Sequence, residues 1–206
     1  MRFVVYSDIH WGQVSEILPN LVPSKGDFFL GDIFDIKNTS KKIIRQQLQK
    51  QSDFNRTCKE VGAFVLLGNH DLLPDDKMLV HYYDKNLLSI IANDHDSVPR
   101  HIVVGDILFT HGHYIAWDQT QIDQWKAKQP TGVGAFRRLT LNIESYWNRG
   151  TWKPSAIELE RCVQLADGFK CKTIVFGHTH TAPFVDTMFK GVRILNVGRG
   201  RSVLEL

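Results

Sequence analysis

Five short apolar stretches of this chain each end abruptly in a cluster of aspartate, histidine or asparagine residues. The clusters lie at residues 8–10, 32–35, 69–71, 111–113 and 178–180. Short apolar runs rich in β-branched and aromatic residues are typical of strands buried in a sheet. Because sites in α/β sheets gather outside the carboxyl ends of the strands, side chains far apart in sequence can converge there. The pattern therefore predicts one site built from five loops.

The first part of the chain has the segment order of an α/β fold. Residues 2–6, 27–30 and 63–67 are predicted strands, and the apolar spacing over 40–60 predicts a helix before the third of them. A strand, a helix and a second strand in that order favour parallel pairing through right-handed crossovers. Residues 75–92 are ambiguous: apolar residues that recur about every four positions predict a helix, whereas 87–91 could equally form a strand.

The later segments predict more strands. Residues 101–110 are expected to form a hairpin, because the glycine of Gly105-Asp106 suits the first position of a type II′ turn. Residues 173–176 form another apolar run before a histidine cluster. Residues 192–197 and 201–206 are predicted to pair with each other around the turn Gly198-Arg199-Gly200.

Residues 114–172 interrupt this rhythm and contain four of the five tryptophans. Helical spacing predicts one helix over 133–146, and a second helix is expected to begin at Ser155, with Glu158 completing a capping box and Gly168 ending it. Nine of its residues are Lys or Arg and six are Asp or Glu, which accounts for the whole formal excess of +3. We predict a single domain over 1–206, with 114–172 inserted as a helical cap over the site.

Composition narrows the class of protein. The chain has 206 residues, 43% of them hydrophobic, which is enough for the core of one domain. A sequence pI near 8.7 permits an anionic substrate. It is lower than the pI typical of dedicated nucleic-acid-binding domains. Cys58, Cys162 and Cys171 are odd in number and widely spaced, so neither a disulfide framework nor a zinc-thiolate site is indicated. With no signal-like or membrane-spanning stretch in the sequence, we expect a cytoplasmic protein.

Seven side chains at the ends of the predicted strands are candidate metal ligands: Asp8, His10, Asp32, Asn69, His111, His178 and His180. Carboxylate and imidazole groups without thiolates suit Mn²⁺, iron or Zn²⁺. We predict that Asp32 bridges two ions. With only Asp8 and Asp32 contributing negative charge, two divalent cations would leave the site positive and suited to a phosphate dianion.

The residues that end the strands also resemble a known family. They match, in order, the five signature blocks of the calcineurin-like metallophosphoesterases: Asp8-x-His10, Gly31-Asp32-x-x-Asp35, Gly68-Asn69-His70-Asp71, His111 and Gly177-His178-x-His180. The resemblance implies a four-layer α-β-β-α sandwich with two central mixed β-sheets. It assigns the first metal position to Asp8, His10, Asp32 and His180, and the second to Asp32, Asn69, His111 and His178.

The resemblance further implies hydrolysis of a phosphoester by a hydroxide that bridges two divalent ions, most simply Mn²⁺, with Fe or Zn as alternatives. His70 matches the family's proton donor, and Asp35 would orient it by a hydrogen bond. Asp71 is expected to support the loops by hydrogen bonding. Arg199 and His113 are candidate substrate contacts, Arg199 as a phosphate clamp beside a glycine turn.

The substrate class stays open between several readings. A general phosphatase or phosphodiesterase acting on a phosphorylated small molecule or nucleotide is the broadest. The segments Asp-Ile-His-Trp-Gly and Gly-Asn-His-Asp are similar to blocks of double-strand-break-repair nucleases, which act on nucleic acid. The insertion is placed like the lid of the UDP-diacylglucosamine pyrophosphohydrolases, although that branch usually has Arg where His70 stands. A non-catalytic scaffold like the retromer subunit is a further alternative, yet such members tend to lose ligands that are all present here.

Overall fold

A computed structural model describes residues 1–10, 21–35, 44–71, 101–127, 152–180 and 184–206. The strands are β1 (Arg2–Ser7), β2 (Phe28–Phe29), β3 (Phe64–Val65), β4 (His101–Val104), β5 (Ile107–Thr110), β6 (Thr173–Phe176), β7 (Val185–Phe189), β8 (Val192–Asn196) and β9 (Gly200–Glu205). The helices are α1 (Ile44–Val61), α2 (His113–Ala116), α3 (Gln119–Ala127) and α4 (Ala156–Gly168). The helices predicted over 75–92 and 133–146 lie outside the described residues.

The described strands form two mixed sheets. The first has the order β3-β2-β1-β9, in which β1, β2 and β3 are parallel and β9 is antiparallel to β1. The second has the order β4-β5-β6-β8-β7, in which β5, β6 and β8 are parallel and the two edge strands are antiparallel. The predicted parallel pairing of the first three strands and the predicted hairpin of β4 and β5 are confirmed.

The prediction that 192–197 and 201–206 pair with each other is wrong. β8 pairs with β6 and β7 in the second sheet, whereas β9 pairs with β1 in the first sheet. Residues 197–199 therefore carry the chain from one sheet to the other. Two apolar strands around a glycine turn look like a hairpin locally, but here each strand completes a different sheet.

Three apolar clusters define the layers. Phe28 and Leu66 of the first sheet pack with Phe109 and Val175 of the second, so the main core lies between the sheets. Phe29 packs with Phe54 and Cys58 of α1 on the outer side of the first sheet. Leu108 and Ile174 pack with Cys162 and Ala166 of α4 on the outer side of the second. The predicted four-layer sandwich of two helical layers around two sheets is confirmed.

The predicted insertion is only partly described. Its helix α4 begins at Ser155, whose side chain and backbone form the predicted capping box with Glu158. This helix and the buried Trp152 belong to the core on the outer face of the second sheet. Residues 128–151 lie outside the described part of the chain, so a cap over the site stays a prediction. None of the described helices is long and apolar enough to cross a lipid bilayer.

Candidate metal centre

The carboxyl ends of the parallel strands bring the predicted ligands together. Asp8 follows β1, and Asp32 follows β2 after a short loop. His111 directly follows β5, and His178 lies two residues beyond β6. Because the two sheets pack face to face and these strands end at one edge, the loops of both sheets meet there. The predicted convergence of distant clusters is therefore observed in the fold.

Two groups of ligand atoms share this edge, and within each group the atoms lie within 4.8 Å of one another. One group consists of Asp8, His10, Asp32 and His180, and the other of Asp8, Asp32, His111 and His178. Asn69 joins the second group, since its Oδ1 lies 3.0 Å from His111 Nε2. All seven predicted ligands thus lie in one cluster, and Asp8 and Asp32 both belong to the two groups.

The separations in the first group suit ligands of a single ion. Atoms bound to one cation at about 2.1 Å lie about 3.0–3.4 Å apart. His10 Nε2 and His180 Nε2 are 2.9 Å apart, and His180 Nε2 lies 3.3 Å from Asp8 Oδ1. In the second group, His111 Nε2 lies 3.4 Å from Asp32 Oδ2. The donor set fits a divalent ion at each of two adjacent positions.

In Asp8 and in Asp32, one carboxylate oxygen accepts hydrogen bonds from neighbouring residues and the other oxygen faces the cluster. Asp8 Oδ2 accepts hydrogen bonds from the Ser7 hydroxyl and from the His178 amide, the latter at 2.6 Å. Asp32 Oδ1 accepts from the His70 amide at 2.7 Å. Asp8 Oδ1 and Asp32 Oδ2 are buried and have no hydrogen-bond partner among the described residues. Buried carboxylate oxygens without partners are costly unless a cation binds them, so they indicate a metal site.

Hydrogen bonds also fix the orientation of His111. Its Nδ1 lies 2.7 Å from the Leu30 carbonyl oxygen, which can only accept, so Nδ1 carries a hydrogen. Nε2 then faces Asp32 and Asn69. A backbone carbonyl behind a histidine is a common way to hold a metal-binding ring in place.

The backbone of the cluster is strained. Five of the seven predicted ligands have positive φ angles: Asp8, His10, Asp32, His178 and His180, at 51–72°. For residues other than glycine this left-handed conformation costs about 1–2 kcal/mol each. Strain of this kind persists where surrounding structure enforces it and clusters at functional sites.

The pKa values of the cluster are set by burial and by the charges of neighbouring aspartates and histidines. Burial alone would raise the pKa of Asp32, but the charges of His111 and His70 outweigh it and hold that pKa well below its usual range. Burial lowers the pKa of His111, but the carboxylates, led by Asp32, raise it to about 9. Burial and the charge of His111 together lower the pKa of His178 to about 3. Without metal, Asp32 is therefore ionised and His178 is neutral.

His70 and Asp35 form a contact beside the cluster. His70 Nδ1 lies 2.7 Å from Asp35 Oδ1, and the side chain of His70 is 25% exposed while that of Asp35 is 1% exposed. Burial lowers the pKa of His70, but the charges of Asp32 and Asp35 and this hydrogen bond raise it to about 9. His70 is thus a protonated group that solvent can reach, with its ring 4.8 Å from that of His10 in the first ligand group.

Asp71 holds two of the loops together. Its carboxylate accepts hydrogen bonds from the amides of Asp32 at 2.7 Å, Gly68 at 3.0 Å and Phe34 at 3.1 Å. Burial and the charge of Asp32 raise its pKa to about 7. Asp71 therefore anchors the loop that follows β2 to the loop that follows β3.

The two candidate substrate residues differ in position. His113 is buried with its ring centroid 5.4 Å from that of His111, and burial followed by the charge of His111 lowers its pKa well below the usual value. His113 belongs to neither group of ligand atoms. Arg199 is half-buried on the crossover between β8 and β9. Substrate contact by either residue stays a prediction.

Sequence reasoning missed Asn196, the last residue of β8. Its Nδ2 donates to Thr179 Oγ1 at 2.7 Å, and its Oδ1 accepts from the Gly198 amide at 2.9 Å. Thr179 lies between two predicted ligands, so Asn196 ties the histidine loop to the crossover that carries Arg199. An asparagine at the end of an apolar run was the only signal in the sequence. Trp117 was also missed, and its ring lies edge-on to His178 with centroids 5.2 Å apart.

Comparison with known proteins identifies the family. The model of the calcineurin-like phosphoesterases matches residues 1–182. The chain belongs to the calcineurin-like phosphoesterase family. Membership of this family and the cluster of aspartates and histidines both support metal-dependent hydrolysis of phosphoesters as the general chemistry. No curated protein matches the chain significantly.

Several solved structures are similar to this chain at low sequence identity. The cold-active protein-tyrosine phosphatase of a psychrophilic Shewanella sp. has a TM-score of 0.51 and 17% identity, over 99% of this chain and 75% of that one. Vps29 from Entamoeba histolytica has a TM-score of 0.45 and 15% identity, over 97% and 74%. A Thermotoga maritima protein has a TM-score of 0.39 and 22% identity, over 100% and 92%. The likeness to the Shewanella phosphatase concerns the fold alone.

Proposed function

We propose that this chain is a phosphoric ester hydrolase that uses two divalent metal ions. The observation that carries the proposal is the pair of ligand groups at the carboxyl ends of the strands, which share the carboxylates of Asp8 and Asp32. Asp8, His10, Asp32 and His180 would hold one ion, and Asp32, Asn69, His111 and His178 the other. The oxygen and imidazole donors suit Mn²⁺, and iron or Zn²⁺ would also fit.

The ions, when bound, would polarise the phosphoryl group and supply hydroxide near neutral pH as the nucleophile. Asp8 and Asp32 contribute the two negative charges of the ligand set, so the loaded site stays positive and attracts a phosphate group. His111 is held with Nε2 towards the site by the Leu30 carbonyl. These residues bind and orient, and none of them needs to move a proton during the reaction.

His70 would donate the proton to the leaving oxygen. Asp35 accepts the hydrogen of Nδ1 at 2.7 Å, which leaves Nε2 directed away from Asp35 and able to present its proton to substrate. The partial exposure of the His70 side chain supports this role, since the donor must reach the substrate. An alkoxide is a poor leaving group unless it is protonated, so a proton donor matters most for alkyl phosphoesters. The presence of His70 therefore supports alkyl phosphoesters as substrates.

A substrate screen tests the proposal. The purified chain, stripped of metal and then supplied with Mn²⁺, is assayed against phosphomonoesters, phosphodiesters, cyclic nucleotides, nucleoside pyrophosphates and oligonucleotides. We expect turnover of at least one class, abolished by chelator and restored by Mn²⁺. Absence of turnover of every class with Mn²⁺, Zn²⁺ or Fe²⁺ would contradict the proposal, and the class that turns over fastest would decide between the phosphatase, pyrophosphohydrolase and nuclease alternatives.

A further inference from the structure

The carboxylate of Asp35 faces two histidines. Its Oδ1 lies 2.7 Å from Nδ1 of His70, and its Oδ2 lies 3.8 Å from Nδ1 of His10. The three side chains form a compact group whose ligand atoms all lie within 4.8 Å of one another. The rings of His10 and His70 meet edge to face at 4.8 Å between centroids. Asp35 therefore lies between a predicted metal ligand and the predicted proton donor.

Asp35 Oδ2 and His10 Nδ1, which face each other, have no other hydrogen-bond partner within the part of the chain that the structure describes. Asp35 Oδ2 and His10 Nδ1 are both buried, and neither has a hydrogen-bond partner among the described residues. The side chains of Asp35 and His10 are 1% and 3% exposed, so bulk solvent scarcely reaches either atom. The gap of 3.8 Å exceeds a good hydrogen bond by less than about 1 Å. A small rotation of either side chain would pair the two atoms and remove two unpaired buried groups.

The other nitrogen of His10 explains why this pairing matters. His10 Nε2 faces His180 Nε2 at 2.9 Å and Asp32 Oδ2 at 3.7 Å. A neutral imidazole that offers Nε2 to a metal carries its hydrogen on Nδ1. That hydrogen needs an acceptor, and Asp35 Oδ2 is the acceptor that the described structure presents. A carboxylate behind a metal-binding histidine fixes its tautomer and the direction of its ring.

We propose that Asp35 is a positioning residue for both histidines, holding His70 through Oδ1 and His10 through Oδ2. One buried carboxylate then couples the proton donor to the metal position of His10. The inference rests on the proposed function, because it takes His10 to be a metal ligand. Its consequence is specific: loss of Asp35 weakens one of the two metal positions, whereas loss of His70 weakens neither.

Metal titration of two matched variants tests this. Asp35→Ala and His70→Ala both remove the contact between Asp35 and His70, but only Asp35→Ala removes the acceptor opposite His10. Co²⁺ is titrated into the metal-free proteins by calorimetry while the visible absorption of the ion is recorded. We expect wild type and His70→Ala to bind two ions alike. Asp35→Ala should bind one ion at least tenfold more weakly, with a changed spectrum for that ion and the other unaffected.

The outcomes separate the inference from the proposed function. Wild type that binds two ions, together with Asp35→Ala that binds both with unchanged affinity and spectrum, overturns the inference alone. Equal weakening of both ions in Asp35→Ala also overturns it, because that pattern reports only the loss of a negative charge. Wild type that binds fewer than two ions overturns the proposed function and the inference with it.

A second measurement on wild type covers a failure of Asp35→Ala to fold, which circular dichroism would reveal. In the Zn²⁺-loaded protein with ¹⁵N-labelled histidine, NMR identifies the protonated nitrogen of each ring. We expect His10 to carry a slowly exchanging hydrogen on Nδ1, shifted downfield by its hydrogen bond to a carboxylate. A hydrogen on Nε2 of His10, or one on Nδ1 that exchanges as freely as in exposed histidines, overturns the inference.

Discussion

Asp32 is the residue on which both proposed metal positions would depend, because only one of its two carboxylate oxygens faces the other ligands. Oδ1 is held by the His70 amide, while Oδ2 lies 3.4 Å from His111 Nε2 and 3.7 Å from His10 Nε2. The hydrogen bond to Oδ1 thus fixes the orientation of the carboxylate whose Oδ2 faces both groups of ligand atoms. A single oxygen between two imidazoles is a suitable bridge for adjacent cations.

We expect Asp32→Asn to lower metal occupancy at both positions, since an amide carries no charge and its oxygen binds divalent ions more weakly. Elemental analysis after dialysis should find less than about one Mn²⁺ per chain. Asp106→Asn is the matched control, because Asp106 is an exposed acid in the β4–β5 turn and should leave occupancy unchanged. An Asp32→Asn variant that keeps two ions would refute the bridge.

Replacing His70 separates chemistry from metal binding. We expect His70→Ala to lower kcat by about 10²–10⁴-fold on an alkyl phosphoester, the usual contribution of a general acid. The loss should be smaller for a p-nitrophenyl ester, whose leaving group needs no proton. Steady-state assays of both esters make the comparison within one variant. Wild-type kcat on the alkyl ester would remove His70 from the mechanism.

Metal binding should be linked to protons through His111. In the metal-free chain its pKa is raised to about 9, so at pH 7.5 the ring is protonated, and it must lose that proton to bind an ion. Affinity for Mn²⁺ should therefore rise as pH increases towards 9. Calorimetry in buffers of different ionisation enthalpy should detect release of about one proton at pH 7.5. Affinity that is independent of pH between 7 and 9 would contradict this.

At the scale of elements, the loops after β2 and β3 fit together closely at Gly68. A Cβ at this residue would overlap the carboxylate and backbone nitrogen of Asp32. Since backbone cannot move aside cheaply, we expect Gly68→Ala to lower the free energy of unfolding by about 1–3 kcal/mol and to weaken metal binding. Gly168→Ala is the control, because nothing lies within 4 Å of a Cβ there at the end of α4.

Chemical denaturation followed by fluorescence measures both glycine variants. Gly168→Ala should unfold at the same or a higher denaturant concentration than wild type, since alanine favours a helix over glycine by up to about 1 kcal/mol. Equal stability of the two variants would show that the loops have room that the described structure does not indicate.

The elements that could be predicted from sequence are those specified by local chemistry. The capping box of Ser155 and Glu158 fixes the start of α4, and Gly105 fixes the turn between β4 and β5. The partners of β8 and β9 could not be predicted, because sheet membership depends on which core each strand completes. Asn196 was missed for the same reason, since its two hydrogen bonds reach loops that only the fold brings near.

At the scale of the whole molecule, the site lies where two sheets end together. The main core of Phe3, Phe28, Phe109 and Val175 holds the sheets face to face, and the metal-binding loops are extensions of the strands that form this core. The order of five polar clusters in the sequence was enough to predict this arrangement, because each cluster begins within four residues of the end of a strand. The second partner of Asp35 was not predictable, since its approach to His10 depends on the packing of loops rather than on spacing.

If one site binds two ions and hydrolyses phosphoesters, turnover should depend on the number of Mn²⁺ equivalents added per chain. Metal-free protein is assayed with bis(p-nitrophenyl) phosphate and p-nitrophenyl phosphate while Mn²⁺ is added in known equivalents. We predict turnover of at least one ester that increases up to two equivalents of Mn²⁺ per chain and then levels off. Turnover that saturates at one equivalent, or no turnover of either ester at any amount of Mn²⁺, would contradict it.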